Sequence, residues 1–446
     1  MPASVALLIC TVFVFILLLI ERKQTPKLSF ALWVPTCWML CVASRPLSTW
    51  FVGLGDRDAG SPLDQYFLIA ILCLGVLILV SRGFVWSRAV RDNFWLWVLI
   101  GYMLVSVMWS DIPFISFKRV TRELIAVVMA LVLLTDRDPR QAMQSLIRRV
   151  IYILIPFSLL TIKYFPEYGR AYGRWSGLEM WVGVTTQKNA LGRLCLVAAF
   201  FLIWTLVKRS HKSNIVVNKS QSYADVAVLI LALYLLAGPG GQYSATAITS
   251  LAGGLVAFGC LLWMKKHQII LGAKTLTLIM AIVIGVGIIQ PFIAGSSAVG
   301  AASILGRDAT LTGRTDIWAS LIPDVMRNPI LGSGFGSFWI ASVREAHEIG
   351  EAHNGYLDTV LELGFVGVLS LAMYLLASCR KAQRVLVHDY DWGSLWICLL
   401  LMVLIHNMTE SSINSFTTVG TSFVLFLTIC GGAVAETNVG SRAAQQ

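Results

Sequence analysis

Chemistry in this chain is most readable in residues 306–369, the longest polar stretch of a very apolar sequence. It holds four arginines (Arg307, Arg314, Arg327, Arg344) and two histidines (His347, His353) among several carboxylates. It ends in His353-Asn354-Gly355-Tyr356-Leu357, directly before an apolar run. An imidazole that is neutral near pH 7 can accept a proton from a hydroxyl group, and few other side chains can. The same position also suits a histidine that caps a helix or bonds a loop carbonyl. His347, in a polar segment, reads as a solvated loop residue. His406-Asn407 reads as a structural polar pair, with Glu410 near enough to enter the same cavity.

A second group is cationic: Lys118, Arg119 and Arg122 near the mouth of one apolar run, with Arg174, Lys188, Arg193 and Arg314. Guanidinium forks bind phosphate oxygens through paired hydrogen bonds, which suits a pyrophosphate at a membrane surface. Such a cluster can stabilise a phosphate leaving group without a metal. The bland alternative is contact with lipid headgroups, or pairing with Glu123, Glu167 and Glu179. Paired carboxylates of the kind that hold a divalent metal for sugar transfer also occur. Asp136-Arg137-Asp138 and Asp389-Tyr390-Asp391 read as charged loop ends, whereas Asp56-Arg57-Asp58 lies in an outward loop and remains a metal-dependent alternative. The run Gly332-Ser333-Gly334-Phe335-Gly336 lacks the strand, helix and lysine of a nucleotide-binding loop and reads as a turn.

These groups must be positioned by membrane helices. With 57% hydrophobic and 13% charged residues and a mean hydropathy of +0.74, the chain reads as an all-α polytopic integral membrane protein. Apolar windows fall near 4–20, 28–43, 64–80, 93–109, 120–135, 149–163, 189–207, 224–238, 245–264, 272–293, 355–378, 394–408 and 417–434, which gives 12–13 transmembrane helices. Val5 to Ile20 lacks a basic n-region and a small-residue cleavage site, so it reads as a retained span. Arg22/Lys23/Lys27, Arg82/Arg88/Arg91, Arg137/Arg140/Arg148/Arg149, Lys208/Arg209/Lys212/Lys219, Lys265/Lys266 and Arg380/Lys381/Arg384 fall on alternate loops, which makes that side cytoplasmic. The net charge of +11 is explained by these loops and not by nucleic acid. The expected organisation is membrane helices over 1–293 with an outward loop at 164–188, a large catalytic loop at 294–354, further spans over 355–434 and an inward tail at 435–446. Within the large loop, Thr315 to Met326 reads as an amphipathic helix on the membrane surface, with Ile317, Trp318, Leu321, Ile322 and Val325 on one side. The nine cysteines lie in or beside apolar runs and read as small hydrophobes.

Four segments carry a resemblance to a known family: Gly313-Arg314-Thr315-Asp316-Ile317-Trp318, Asn328-Pro329-Ile330-Leu331-Gly332-Ser333-Gly334-Phe335-Gly336, Ala352-His353-Asn354-Gly355-Tyr356-Leu357 and Glu362-Leu363-Gly364-Phe365-Val366-Gly367. Together they resemble the O-antigen ligase/polymerase superfamily. Ser44-Arg45-Pro46-Leu47-Ser48-Thr49-Trp50, Trp109-Ser110 and Gln187-Lys188-Asn189-Ala190-Leu191-Gly192 resemble its exopolysaccharide-polymerisation branch. The resemblance implies an inner-membrane glycosyltransferase at the periplasmic face, using a polyprenyl-diphosphate-linked saccharide as donor, with neither metal nor cofactor. His353 and Arg314 would be catalytic. Arg119, Arg122, Arg174, Lys188, Asn189, Arg193, Asn354 and Glu410 would bind the donor diphosphate or saccharide. A saccharide acceptor, the lipid bilayer, and a chain-length regulator and flippase of the same pathway would be its partners. Gln242-Tyr243-Ser244-Ala245-Thr246-Ala247 departs from the family, which often has a basic residue where Ala245 stands, so a phosphate contact is either missing or supplied by Arg193 or Lys188.

The reading is a polysaccharide polymerase that moves glycan from a lipid diphosphate onto a lipid-linked acceptor. A ligase delivering glycan to lipid A–core shares the donor and differs in the acceptor. A transporter or flippase is the rival of another class, and it is opposed by the lack of internal repeats and the few charges deep within spans.

Overall fold

The computed structural model describes residues 1–51, 60–173, 177–210, 219–240, 243–269, 271–297 and 313–443. The chain begins with α1 (Ala3–Gln24), α2 (Trp33–Val42, entered through a 3-10 turn at Phe30–Leu32), α3 (Leu47–Phe51), α4 (Pro62–Ser81), α5 (Trp86–Asp92) and α6 (Phe94–Ser106). Next come α7 (Pro113–Leu134), α8 (Pro139–Tyr164), α9 (Pro166–Gly169) and an antiparallel pair, β1 (Arg170–Tyr172) and β2 (Glu179–Trp181). Then follow α10 (Lys188–Ser210), α11 (Lys219–Ala237), α12 (Ala245–Lys266), α13 (Ala273–Ser297) and α14 (Arg314–Arg327). The last elements are α15 (Ala341–His347), α16 (Gly355–His388), α17 (Tyr390–His406) and α18 (Val419–Ala443).

The protein is an all-α polytopic membrane protein, and every apolar window read from the sequence falls on a helix. Among the described residues, α1, α4, α8, α10, α11, α12, α13 and α16 are long and apolar enough to cross a membrane. A ninth crossing is possible if α5 and α6, bent by 95° at their junction, form one broken span. Phe30–Val42, α17 and the apolar part of α18 are shorter. α17 packs against α10, α12, α16 and α18 and is buried almost all round, as expected of a helix whose apolar residues show no polar stripe.

Two positions differ from expectation. Arg148 and Arg149, read as loop residues, lie buried inside α8, because that helix starts at Pro139, well before its apolar window. Carboxylates from neighbouring helices compensate them. Glu21 of α1 lies 2.9 Å from Arg149 Nε, and Asp225 of α11 lies 3.2 Å from Arg148 Nε and 2.7 Å from Arg209 Nη1. Tyr152 donates a further hydrogen bond of 2.6 Å to Asp225. Buried charges persist only when paired in this way. The second difference is α14. Its boundaries match the amphipathic reading, but its stripe of Trp318, Leu321 and Val325 is buried in a small core with Trp339, Ala352, Leu357, Val360 and Leu361. The apolar face meets protein, not the membrane surface, because α13 and α16 lie alongside it.

The glycine run is the turn expected of it, and it repairs a break in α16. Gly364 has φ +62° and ψ −170°, which interrupts the helix. The carbonyls of Leu361 and Glu362 accept instead from Ser333 N (3.0 Å) and Gly334 N (2.8 Å), while Phe365 N and Val366 N donate to Pro329 O and Ile330 O. Backbone groups freed within an apolar bundle must find such partners. Gly332 (φ +68°) and Gly364 run backbone against backbone here, Gly332 on Glu362 and Gly364 on Ile330, so neither has room for a Cβ.

Candidate functional site

His353 sits on a short strap, residues 351–354, between α15 and α16. Trp318 of α14 donates from Nε1 to Ala352 O at 2.9 Å. Asp358, one turn into α16, accepts from Ala352 N (3.2 Å) and Trp339 Nε1 (2.8 Å). Asn354 caps α16: its Oδ1 accepts from Tyr356 N and Leu357 N, and its Nδ2 donates to Met408 O. Pinned on both sides, His353 holds φ +50°, a left-handed conformation that costs a non-glycine residue about 1 kcal/mol or more. Strain of this kind gathers where a side chain must be aimed.

The strap lies against the connection between α17 and α18, which presents Glu410. Glu410 is buried, and its Oε1 accepts from Arg314 Nη2 at 2.7 Å and Asn189 Nδ2 at 2.6 Å. Asn407 fixes this connection, since its Oδ1 accepts from Ser412 N and Ile413 N. Gly355 N bonds Glu410 O at 3.0 Å, which ties the connection to the start of α16. His353 Nδ1 lies 3.2 Å from Glu351 Oε1, at ion-pair distance but off the line of a hydrogen bond. One potential ligand atom each from Glu351, His353 and Glu410 lie within 4.8 Å of one another.

The electrostatics follow from this crowding. Burial opposes charging of His353, but the Glu351 contact and the Glu410 charge outweigh it and hold the imidazole above its usual pKa. Burial and the neighbouring Glu351 charge raise Glu410, against the pull of Arg314, His353 and Arg193. Glu351 is lowered: burial works against ionisation, and His353, Arg193 and Arg314 more than offset it.

The structure therefore brings together His353, Arg314, Asn189 and Glu410, with Arg193 and Lys188 within electrostatic reach of Glu410. Asn354 adjoins the cluster, but its side chain is committed to capping α16. Arg119 and Arg122 stand elsewhere: Arg119 donates to Gly336 O, and Arg122 lies among Arg119, Asp64 and Glu123. Arg174, Asp56, Asp58, Gln242 and Arg307 lie outside the described residues. Asp138 and Asp389 are helix caps, Asp136 accepts from Ser29, and Asp391 pairs with Lys265 at 2.8 Å. His347 contacts Asp324 at 3.1 Å. His406 is 2% exposed, and neither ring nitrogen has a hydrogen-bond partner among the described residues. Arg45 donates to the carbonyls of Tyr168 and Thr185 and anchors the loop before α10. Sequence reading missed Glu351; its signal was a carboxylate two residues before the histidine.

Glu351, His353 and Glu410 offer an N,O,O set that suits a divalent ion in spacing. Arg314 already occupies Glu410, however, and Arg193 and Lys188 add positive charge, so the surroundings favour an anion.

Residues 226–372 match the family model described as O-Antigen ligase, a segment running from α11 into α16 that contains both Arg314 and His353. The chain is also 26% identical over 322 residues to Exopolysaccharide production protein ExoQ of Rhizobium meliloti (strain 1021), covering 68% of this chain and 69% of that protein. Both matches point to a membrane protein of the polysaccharide polymerase and ligase kind. Residues 226–372 thus resemble the O-antigen ligase family, and the likeness to an exopolysaccharide production protein extends over two thirds of the chain.

Proposed function

We propose that the protein is a polysaccharide polymerase acting at the periplasmic face of the inner membrane. It transfers glycan from a polyprenyl-diphosphate carrier to a hydroxyl of a lipid-linked acceptor saccharide. The observation that carries this reading is the convergence on Glu410, in the α17–α18 connection, of Arg314 from the start of α14 and His353 from the strap before α16. In the step, the acceptor oxygen forms a bond to the anomeric carbon as the bond from that carbon to the diphosphate oxygen breaks. His353 takes the acceptor proton, and Arg314, with Arg193 and Lys188 nearby, balances the charge of the departing diphosphate. Asn189 and Glu410 orient Arg314. Charge neutralisation falls to guanidinium groups, so the chemistry requires no metal. The O-Antigen ligase model favours a second reading, delivery of glycan to lipid A–core.

Polysaccharide extracted from a deletion strain carrying wild type, His353→Ala or Arg314→Ala, with membrane levels matched, tests both. Single lipid-linked repeat units in both variants support polymerisation. Long polymer that stays on its carrier supports the ligase. Normal polymer from both variants refutes the site.

A further inference from the structure

We infer that Glu351 is a positioning residue for His353, an inference that rests on His353 being the base of the proposed transfer. Two carboxylates flank this imidazole, and they are not equivalent. Glu410 Oε1 is committed to Arg314 and Asn189, whereas Glu351 Oε1 stands 3.2 Å from His353 Nδ1. A carboxylate this close to Nδ1 favours, through its charge, the tautomer that carries its proton there, which leaves Nε2 unprotonated for the acceptor hydroxyl. Glu351 touches no substrate in this arrangement and acts only through the ring.

The charges facing His353 show why a partner is needed. Arg314 comes from α14 and Glu410 from the α17–α18 connection, while Arg193 of α10 acts on both carboxylates. His406 at the end of α17 borders the same region and lies near Arg193 and Arg314. When the imidazole takes a proton, it becomes a cation beside guanidinium groups. Glu410 is already spent on one of them, so Glu351 is the carboxylate that pairs with the imidazolium as it forms. The strap geometry supports the pairing. The left-handed backbone at His353 turns its side chain back toward Glu351, and the bonds from Trp318 and Asp358 to Ala352 fix the residue between them.

The test uses the purified full-length protein in lipid nanodiscs, with a polyprenyl-diphosphate-linked saccharide as donor and acceptor. Glu351→Gln keeps the shape and removes the charge. The expected result is a kcat lower by about 10- to 100-fold with KM nearly unchanged, and an acid limb of the pH–kcat profile moved to lower pH. The direction follows because Glu351 holds the His353 pKa up, so its loss lets the base deprotonate earlier. Glu351→Asp should recover part of kcat. A fall in kcat with an unmoved acid limb, or a loss shared equally by kcat and folded yield, would overturn the positioning role. Wild-type transfer by Glu351→Gln would overturn it too. His353→Ala, run alongside, separates the two ideas: if that variant transfers normally, the reading of His353 fails, whatever Glu351 does.

Discussion

Replacing Glu410 with glutamine removes one charge from the centre of the site and keeps its shape. Glu410 and a diphosphate would compete for the same guanidinium, since Arg314 Nη2 lies 2.7 Å from Glu410 Oε1. With glutamine the hydrogen bond keeps its charged guanidinium donor, so what is lost is the charge–charge part of the pair, on the order of 1 kcal/mol. Glu410 is 1% exposed, so solvent screens this pair little. Glutamine would still accept from Arg314 and Asn189 as a neutral partner. The substitution therefore costs the competitor roughly 1 kcal/mol, which is a several-fold gain in diphosphate affinity. Binding of polyprenyl diphosphate, which carries no transferable sugar, to protein in nanodiscs measures this directly. Transfer itself should slow, because Glu410 also orients Arg314. In the double variant with Arg314→Ala the affinity gain should vanish. Equal or weaker diphosphate binding by the single variant would refute the idea that Arg314 holds the diphosphate.

Three further outcomes are expected. Gly364→Ala should lower thermal stability and membrane yield by several kcal/mol equivalents, on the order of 3 or more, since a Cβ at positive φ would meet the Ile330 backbone; a melting temperature near wild type in detergent would contradict this. Asp225→Asn leaves the buried Arg148 and the half-buried Arg209 without their counter-charge and should destabilise by about 3–5 kcal/mol, read as lost folded yield. His353 has a raised pKa, so its ionic contribution is complete below the ordinary value of 6.5 and is lost as pH rises through the elevated one. The melting-temperature gap between wild type and His353→Asn should accordingly be wider at about pH 5.5 than at about pH 8.5.

Hydropathy made the helices legible, because each apolar window needs a helix to satisfy its backbone in lipid. It could not show that Arg148 and Arg149 belong inside α8, since their partners Glu21 and Asp225 lie on helices 128 and 77 residues away in sequence. The stripe of α14 was visible as a stripe, but periodicity does not say whether protein or lipid covers it. In the site, His353 and Arg314 were legible from their placement in a polar stretch between apolar runs and from family resemblance. Glu410 stood out only as a neighbour of His406-Asn407, and its joint contact with Asn189 and Arg314 needs three separate elements folded together. Arg119 and Arg122 read as part of the same cationic group because sequence gives their side of the bundle and not their distance from Glu410.

The central claim is that donor holding and proton removal are divided between Arg314 and His353 in one cluster. Its most direct test is a paired measurement on purified protein in nanodiscs, of polyprenyl-diphosphate binding and single-turnover glycan transfer. His353→Ala should bind the diphosphate as wild type does and transfer at least about 100-fold more slowly. Arg314→Ala should lose binding as well. Transfer by His353→Ala at the wild-type rate would contradict the account, and so would unchanged diphosphate binding by Arg314→Ala.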